Sequence, residues 1–194
     1  MNGLVLASAS TSRARMLKAA GVDFVIDPAD IDEDAAKSQG LTPDSIAALL
    51  AEQKALAVSV RRPGELVLGA DQVLVFENRL ISKCRDLTEA KALLQALSGK
   101  SHDLISAAAL ARNNEIVWKA RDRAELSMRP LSEAFIDAYL ADEGEALLSG
   151  VGCYRMEGRG AQLFASVQGD FFSILGLPLL PVLAALREQG MLSA

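Results

Sequence analysis

The sequence predicts a mixed α/β fold, and two observations support this prediction. Short apolar segments that are typical of strands alternate with helical patterns along all 194 residues, without an internal repeat or a linker. Hydrophobic residues make up 51% of the chain, which is enough for a sizeable core. We therefore expect residues 1–194 to form a single domain.

The net charge and the cysteine content exclude some classes of function. A net charge of -5 and a pI near 5.0 argue against nucleic acid or an anionic membrane as a partner. Cys84 and Cys153 lack the spacing of metal ligands, and the chain shows neither a leader pattern nor the roughly 20 apolar residues that cross a bilayer. The sequence therefore predicts a cytoplasmic protein with no membrane and no nucleic-acid partner.

The first predicted unit is a strand, a hydroxyl-rich turn and a helix. Residues 4–7 form the apolar strand, residues 8–12 the turn, and the helix contains Arg13. Such a turn can direct serine hydroxyls, helix N–H groups and a guanidinium to one point, as a phosphate requires. The alternative is that Ser10 only caps the helix and that Arg13 is solvated.

An acidic segment and a long helix follow the second predicted strand, residues 22–26. The acids of residues 27–34 are most simply interpreted as a solvated or flexible loop. Thr42 as N-cap and Pro43 at the first helical position predict the start of a long helix. Lys54 lies on this helix, either at its edge above a cleft or, like most lysines, in solvent.

The stretch 66–83 carries the most specific chemical signal. Asp71 interrupts two apolar runs of a predicted strand, where an ionised acid costs on the order of a few kcal/mol unless it is paired or binds a metal. A turn at residues 77–79 predicts a hairpin that returns toward Lys83. The acid and the lysine form either a structural ion pair or part of an anion and metal site, and the residues alone leave both open.

The second half continues the alternation of elements. Its predicted elements are helices over residues 88–97, 133–140 and 179–186 and strands over residues 102–110, 115–118 and 123–128. His102 is the only histidine, and its place at the start of a strand is more typical of a structural hydrogen-bonding group than of a catalytic base. The glycines of residues 149–160 either admit a ligand close to the backbone or simply form turns.

Several short motifs, taken in order, resemble those of the Maf-like nucleoside triphosphate pyrophosphatases. They are Leu6-Ala7-Ser8-Ala9-Ser10 with Arg13, Asp32-Glu33, Lys54-Ala55, Gly69-Ala70-Asp71-Gln72-Val73, Lys83, Leu97-Ser98-Gly99, Glu157-Gly158 and Gly176-Leu177-Pro178-Leu179. Each motif alone is weak, whereas the ordered set is specific and covers nearly the whole chain.

The resemblance implies a single Maf-like domain over residues 1–194. It implies a long twisted mixed sheet flanked by helices, with two lobes and a central cleft, similar to the inosine triphosphate pyrophosphatases. The implied reaction is hydrolysis of a nucleoside triphosphate to the monophosphate and pyrophosphate with a divalent cation, Mg²⁺ or Mn²⁺. A homodimer is also implied.

The resemblance further assigns site residues. Asp71, Glu33 and Lys83 would be catalytic, with Asp71 and Glu33 as metal ligands. The residues that would bind substrate are Ser8, Ser10, Arg13, Lys54, Gln72 and Glu157. Carboxylates suit Mg²⁺ or Mn²⁺ rather than zinc, and one acid could instead take the proton of the attacking water. We favour Asp71 for that role because its strand fixes its direction.

Asp71-Gln72 and Glu157 resemble the branch of the family that acts on 7-methyl-GTP. A carboxylate at position 157 can accept hydrogen bonds from guanine and favours the positive charge of a methylated ring. The alternative is that Glu157 pairs with Arg155 or Arg159 on a loop.

The N-terminal motif departs from the family pattern. Thr11 replaces the usual proline, and the usual pair of arginines is reduced to Arg13. A nucleotide-binding regulator of cell division or septum formation, with weak or no turnover, is therefore the rival function.

Overall fold

The computed structural model describes residues 3–193 and confirms the mixed α/β class. The strands are β1 (Leu4–Leu6), β2 (Phe24–Ile26), β3 (Leu66–Phe76), β4 (Arg79–Ile81), β5 (Ser101–Arg112), β6 (Glu115–Met128) and β7 (Phe164–Gln168). The helices are α1 (Thr11–Ala19), α2 (Glu33–Lys37), α3 (Pro43–Ser59), α4 (Leu87–Leu97), α5 (Glu133–Glu143), α6 (Phe171–Ile174) and α7 (Leu179–Glu188). Two short 3-10 helices are Gly144–Ser149 and Arg159–Leu163.

The strands form one mixed sheet, as predicted. Within the described residues its order is β2-β1-β3-β5-β6-β7, and β4 pairs with β3. β1 runs parallel to both β2 and β3, whereas β4 is antiparallel to β3 and β7 is antiparallel to β6. No helix within residues 3–193 is long and apolar enough to cross a membrane.

The described chain divides into two compact units. The first comprises residues 3–72, 105–122 and 170–193, and the second comprises residues 73–104 and 123–169. Neither unit is a continuous segment, because β3, β5 and β6 each contribute residues to both.

Helices cover both faces of the strands in the first unit. On one face, Leu68 belongs to a buried cluster with Leu17 of α1 and Leu186 of α7. On the other face, Val67 packs with Val58 of α3. Successive side chains of a strand point to opposite faces, and this alternation explains why neighbouring residues of β3 join different clusters.

Gly69 lets α3 approach β3 closely. A Cβ at position 69 would overlap the carbonyl oxygen of Ala51 and lie 2.5 Å from the backbone nitrogen of Ala55. Asp71 follows two residues later and therefore points to the same face of β3. Lys54 lies on the stretch of α3 that Gly69 admits, so this close packing brings a lysine next to the Asp71 carboxylate.

The second unit contains a hairpin and two capped helices that the sequence predicts. Glu77 and Asn78 connect β3 to β4 with φ values of 49° and 60°, as a tight hairpin turn requires. Asp86 caps α4, and Ser132 caps α5, which packs against α4. The turn and the Ser132 cap are confirmed.

His102 has the structural role that its position suggests. The residue is buried, and its Nε2 lies 2.7 Å from the hydroxyl of Tyr154. The Tyr154 ring also packs edge-on against Phe164. Burial lowers the pKa of His102 to about 4, so the imidazole is neutral over the physiological range.

Two predictions about secondary structure were wrong. The end of the acidic segment is not a loop, because Asp32 caps α2 through a hydrogen bond from the backbone nitrogen of Ala35, 2.9 Å long. Acids in the first turn favour a helix through its dipole, which accounts for Glu33 and Asp34. The residues predicted as two strands, 115–118 and 123–128, form the single strand β6, whose outward positions tolerate the polar residues between them.

Candidate active site

Lys54 connects two of the predicted acids. Its Nζ lies 2.6 Å from Oδ1 of Asp71 and 2.7 Å from Oε1 of Glu33. Lys54 and Asp71 are 9% and 6% exposed, whereas the Glu33 side chain is 40% exposed. The ammonium offsets the cost of burying the Asp71 carboxylate. The expectation that Asp71 needs a partner is confirmed, and its described partner is Lys54, whereas the hairpin had suggested Lys83.

Arg13 is buried and anchored at two of its nitrogens. Nε donates a hydrogen bond to the carbonyl oxygen of Gly176, 2.8 Å away, and Nη1 donates to Oγ of Ser8, 3.0 Å away. Ser8 Oγ also accepts a hydrogen bond from the backbone nitrogen of Ser10 at 3.2 Å. The alternative of a solvated Arg13 is therefore wrong.

Ser10 is the N-cap of α1. Its Oγ accepts a hydrogen bond from the backbone nitrogen of Arg13 at 3.4 Å. The capping interpretation is confirmed, and a contact of Ser10 with phosphate stays a prediction.

Arg13 also interacts electrostatically with the acids that Lys54 holds. Burial is the largest influence and lowers the pKa of Arg13, while the charges of Asp71 and then Glu33 act in the opposite direction. Lys37 also contacts Glu33, with Nζ 3.5 Å from Oε2. The acids of the cluster are therefore already engaged by protein cations.

Two polar atoms of the cluster remain available to a ligand. Within residues 3–193, neither Oδ2 of Asp71 nor Nη2 of Arg13 has a hydrogen-bond partner. Neither atom is fully buried, so both can reach a ligand. A carboxylate oxygen and a guanidinium nitrogen are thus presented by groups whose other atoms are fixed.

Gln72 points away from Asp71, as the alternation of strand side chains requires. Its Nε2 lies 3.0 Å from each of Ser106 Oγ, Ser173 O and Ile174 O. An amide nitrogen carries two hydrogens, so one is shared between acceptors. The protein itself therefore uses the donor group of this predicted substrate ligand.

Lys83 and Glu157 belong to the second unit. Lys83 is exposed after β4. Glu157 is half-buried, and its Oε1 lies 3.8 Å from Nε of Arg155, which confirms the predicted alternative of a pair with that arginine. The residues that the structure brings together in the first unit are Ser8, Ser10, Arg13, Glu33, Lys54, Asp71 and Gln72.

The acids of the cluster fit a divalent cation that is shared with a ligand. Glu33 and Asp71 both contact Nζ of Lys54, so the two carboxylates are neighbours, with the ammonium at the point where Oδ1 and Oε1 converge. Among residues 3–193, no group of three or more His, Cys, Asp or Glu side chains could hold an ion by itself. Mg²⁺ commonly takes one or two carboxylates and completes its shell with phosphate oxygens and water, so two converging acids suffice for such a cation.

The structure also reveals supporting residues that sequence reasoning did not select. Ser106 is a buried hydroxyl within the apolar β5, a signal that could have been found in the sequence. Gly69 and Gly176 were noted only as parts of motifs. Gly176 has a φ of 101°, which favours glycine, and its carbonyl holds Arg13.

These features define an α/β protein with a cluster of paired acids and bases beside the N-terminus of a helix. The family model described as Maf-like protein matches residues 3–189. The chain therefore belongs to the Maf-like family.

Curated relatives match over nearly their whole length. A protein of Paramagnetospirillum magneticum named nucleoside triphosphate pyrophosphatase is 49% identical over 190 residues, covering 96% of this chain and 98% of the relative. One of Rhodopseudomonas palustris with the same name is 50% identical, covering 98% and 95%. A protein of Rhizobium etli named 7-methyl-GTP pyrophosphatase is 46% identical, covering 96% of each chain.

Among solved structures, a HAM1 protein from Coxiella burnetii matches with a TM-score of 0.42 at 22% identity, covering 66% of this chain and 73% of that chain. At this TM-score the likeness does not define the fold, which follows from the described strands and helices.

Proposed function

We propose that the protein is a nucleoside triphosphate pyrophosphatase, which hydrolyses its substrate to the nucleoside monophosphate and pyrophosphate. The observation that carries this proposal is the pair of carboxylates, Asp71 and Glu33, held by Lys54 beside an anchored Arg13. Relatives named for this activity, at 49% and 50% identity, support it.

Asp71 is the proposed base. Its Oδ1 is held by Lys54, so Oδ2 is the oxygen that takes the proton of the water attacking the α-phosphorus. The position of Asp71 within β3 fixes the direction of the carboxylate, which general-base catalysis requires.

Arg13 is the proposed phosphate-binding cation of the first unit. Nε and Nη1 are fixed by protein acceptors, so Nη2 donates to a phosphate oxygen, with Ser8 and Ser10 beside it. Lys83 remains a proposed catalytic residue that the family resemblance implies.

A divalent cation would balance the rest of the substrate charge. Glu33 would hold Mg²⁺ or Mn²⁺ beside Asp71, and such a cation when bound neutralises charge on the phosphate oxygens. The pairing of Lys54 with both acids supports this requirement, because its ammonium is already used within the protein.

We also propose a preference for a guanine base, including 7-methyl-GTP. Glu157 would accept hydrogen bonds from the guanine edge. Glu157 is half-buried and lies beside Arg155, with its Oε1 3.8 Å from Nε. A relative at 46% identity that is named 7-methyl-GTP pyrophosphatase supports this choice, while one with the general name is slightly more similar, at 49%.

A pyrophosphate-release screen tests these proposals together. Common and modified nucleoside triphosphates are compared with Mg²⁺, with Mn²⁺ and with a chelator. We expect steady release that requires the metal and is fastest with 7-methyl-GTP. Tight binding without turnover would favour the nucleotide-binding regulator, and preference for UTP or dTTP would contradict the guanine assignment.

Assembly is proposed from the family resemblance, and location from the cysteine content and the sequence pattern. We expect a homodimer in the cytoplasm. Light scattering of the purified protein checks the first expectation, and fractionation of cells that produce it checks the second.

A further inference from the structure

We propose that Ser106 is a positioning residue, which acts with Gln72 through the segment 173–176 to aim the guanidinium of Arg13. This inference rests on the proposed function, because it takes Arg13 as the group that meets the phosphate. Neither the motifs nor the names of the relatives assign a role to Ser106.

The hydroxyl of Ser106 makes two hydrogen bonds in an apolar environment. It is 1% exposed and lies on β5 among buried alanines and leucines. Its Oγ donates to the carbonyl oxygen of Ser173, 2.7 Å away, and accepts a hydrogen bond from Nε2 of Gln72 at 3.0 Å. Burying a hydroxyl without hydrogen bonds is unfavourable, so the two contacts offset the cost of burying Ser106.

The two side chains fix the end of α6. Ser173 O accepts hydrogen bonds from Ser106 and Gln72, and Ile174 O accepts one from Gln72 at 3.0 Å. Carbonyls at a helix end lack partners within the helix, and here side chains of two strands supply them. The backbone nitrogen of Gly176 also donates to Ser173 O at 3.0 Å, which closes the turn.

Gly176 transmits this placement to Arg13. Its carbonyl oxygen accepts the 2.8 Å hydrogen bond from Nε. A Cβ on Gly176 would lie 3.6 Å from Nη2 of Arg13 and 3.7 Å from Oε1 of Gln72, so the arginine and the glutamine flank the same residue. Any shift of the segment 173–176 therefore moves the acceptor that orients the guanidinium.

The orientation of the Arg13 guanidinium matters for its contact with phosphate, in addition to its charge. A guanidinium is planar and donates in fixed directions, so rotating it misaligns Nη2 with a phosphate oxygen. A misplacement of about 1 Å can cost on the order of 100-fold in rate. We expect Ser106→Ala to lower kcat/KM by roughly 10-fold, because Gln72 still holds part of the segment.

A matched control distinguishes a positioning role of Ser106 from a purely structural one. Ser59 is also buried, at 1% exposure, lies in the same unit, and accepts a hydrogen bond from the backbone nitrogen of Asn114 at 2.9 Å. Ser59→Ala should lower the Tm about as much as Ser106→Ala while kcat/KM stays at the native value. Equal losses of kcat/KM in both variants would overturn the proposal.

The decisive measurement is a double-mutant cycle with Arg13→Lys. Lysine keeps a positive charge but has no Nε to meet the Gly176 carbonyl. If Ser106 acts through that contact, Ser106→Ala has little further effect on kcat/KM when Arg13 is already lysine. The same roughly 10-fold loss in both backgrounds would contradict the proposal. Should Ser106→Ala fail to fold, Ser106→Cys, which fills a similar volume with a weaker donor, enters the same cycle.

Binding of inorganic tripolyphosphate, measured by calorimetry on the same proteins, separates this proposal from the proposed function. If the native protein releases no pyrophosphate from any nucleotide but binds tripolyphosphate with the same coupling between positions 106 and 13, the proposed function fails and the positioning role holds. Binding without coupling, or no binding at all, overturns the positioning role.

Discussion

Lys54 is the residue on which the buried charges of the first unit depend. Its ammonium lies within 2.7 Å of both Glu33 and Asp71, and its side chain is only 11% exposed. Removing one partner of a buried pair leaves the other charge without compensation, which costs more than the pair itself contributes.

Lys54→Met should therefore lower the free energy of unfolding by about 3 kcal/mol. Urea denaturation measures the change. Lys119→Met is the matched control, because Lys119 pairs with Glu52 while its own side chain is 64% exposed, and we expect a loss below about 1 kcal/mol there. Equal losses in the two variants would show that the buried cluster does not stabilise the fold.

Asp71→Asn should fold and lose about 100-fold or more of the rate of pyrophosphate release, since the amide cannot accept the proton of water. Steady-state kinetics and a thermal melt measure the two effects. Glu52→Gln is a suitable control, because it removes an acid that pairs with a lysine away from the cluster. Near-native turnover in the Asp71 variant would exclude this residue as the base.

Asp71 could be selected from the sequence, but the burial of Lys54 could not. A carboxylate inside an apolar run is an anomaly visible within a few residues. A lysine on an amphipathic helix looks solvated, and its burial depends on how closely that helix packs on the strand.

At the level of elements, the packing of α3 on β3 places Lys54 beside Asp71. Gly69 permits this packing because a side chain there would meet the backbone of Ala51 and Ala55. The glycine thus acts on the cluster without a polar contact of its own.

Gly69→Ala should force the helix and the strand apart, with a loss of about 2 kcal/mol or more in stability and a lower rate of pyrophosphate release. Urea denaturation and the same kinetic assay measure both. Gly150→Ala is the control, since nothing lies within 4 Å of a Cβ there and its φ of -104° suits any residue. A Gly69 variant as stable and active as the control would contradict the close-packing account.

Elements that are marked by residues within their own segment were predicted well. Elements that depend on packing against the rest of the chain were not. The caps Thr42 and Ser132 are confirmed because a capping hydroxyl acts within three residues of its own position. The short helix α2 was missed, since its acids resemble a solvated run until Asp32 is recognised as a cap. β7 has only five residues, four of them exposed, and no apolar alternation marks it.

At the scale of the molecule, stability should depend on pH through His102. Its pKa is about 4 in the folded chain and about 6.5 when unfolded, so between these values the unfolded chain binds a proton that the folded chain does not. The free energy of unfolding should therefore fall as pH decreases from 6.5 to 4, by up to about 3 kcal/mol.

His102→Asn should lack this part of the pH dependence, and urea denaturation across the window measures the difference from the native chain. Asp27 does not interfere, because hydrogen bonds from Arg61 and then Arg62 lower its pKa to about 2, and its stabilisation is lost only as pH falls below about 3.8. Parallel pH profiles for the native chain and the variant would contradict the account of a buried neutral imidazole.

The division into two units has a practical consequence for spectroscopy. Trp118, the only tryptophan, packs against the buried cluster of the first unit, whereas both tyrosines, Tyr139 and Tyr154, lie in the second. Selective excitation of the indole therefore follows melting of the first unit, and phenol emission follows the second. Coincident fluorescence transitions would mean that the interleaved halves unfold as one cooperative body, and separate transitions would reveal a half-folded intermediate without any added dye or label.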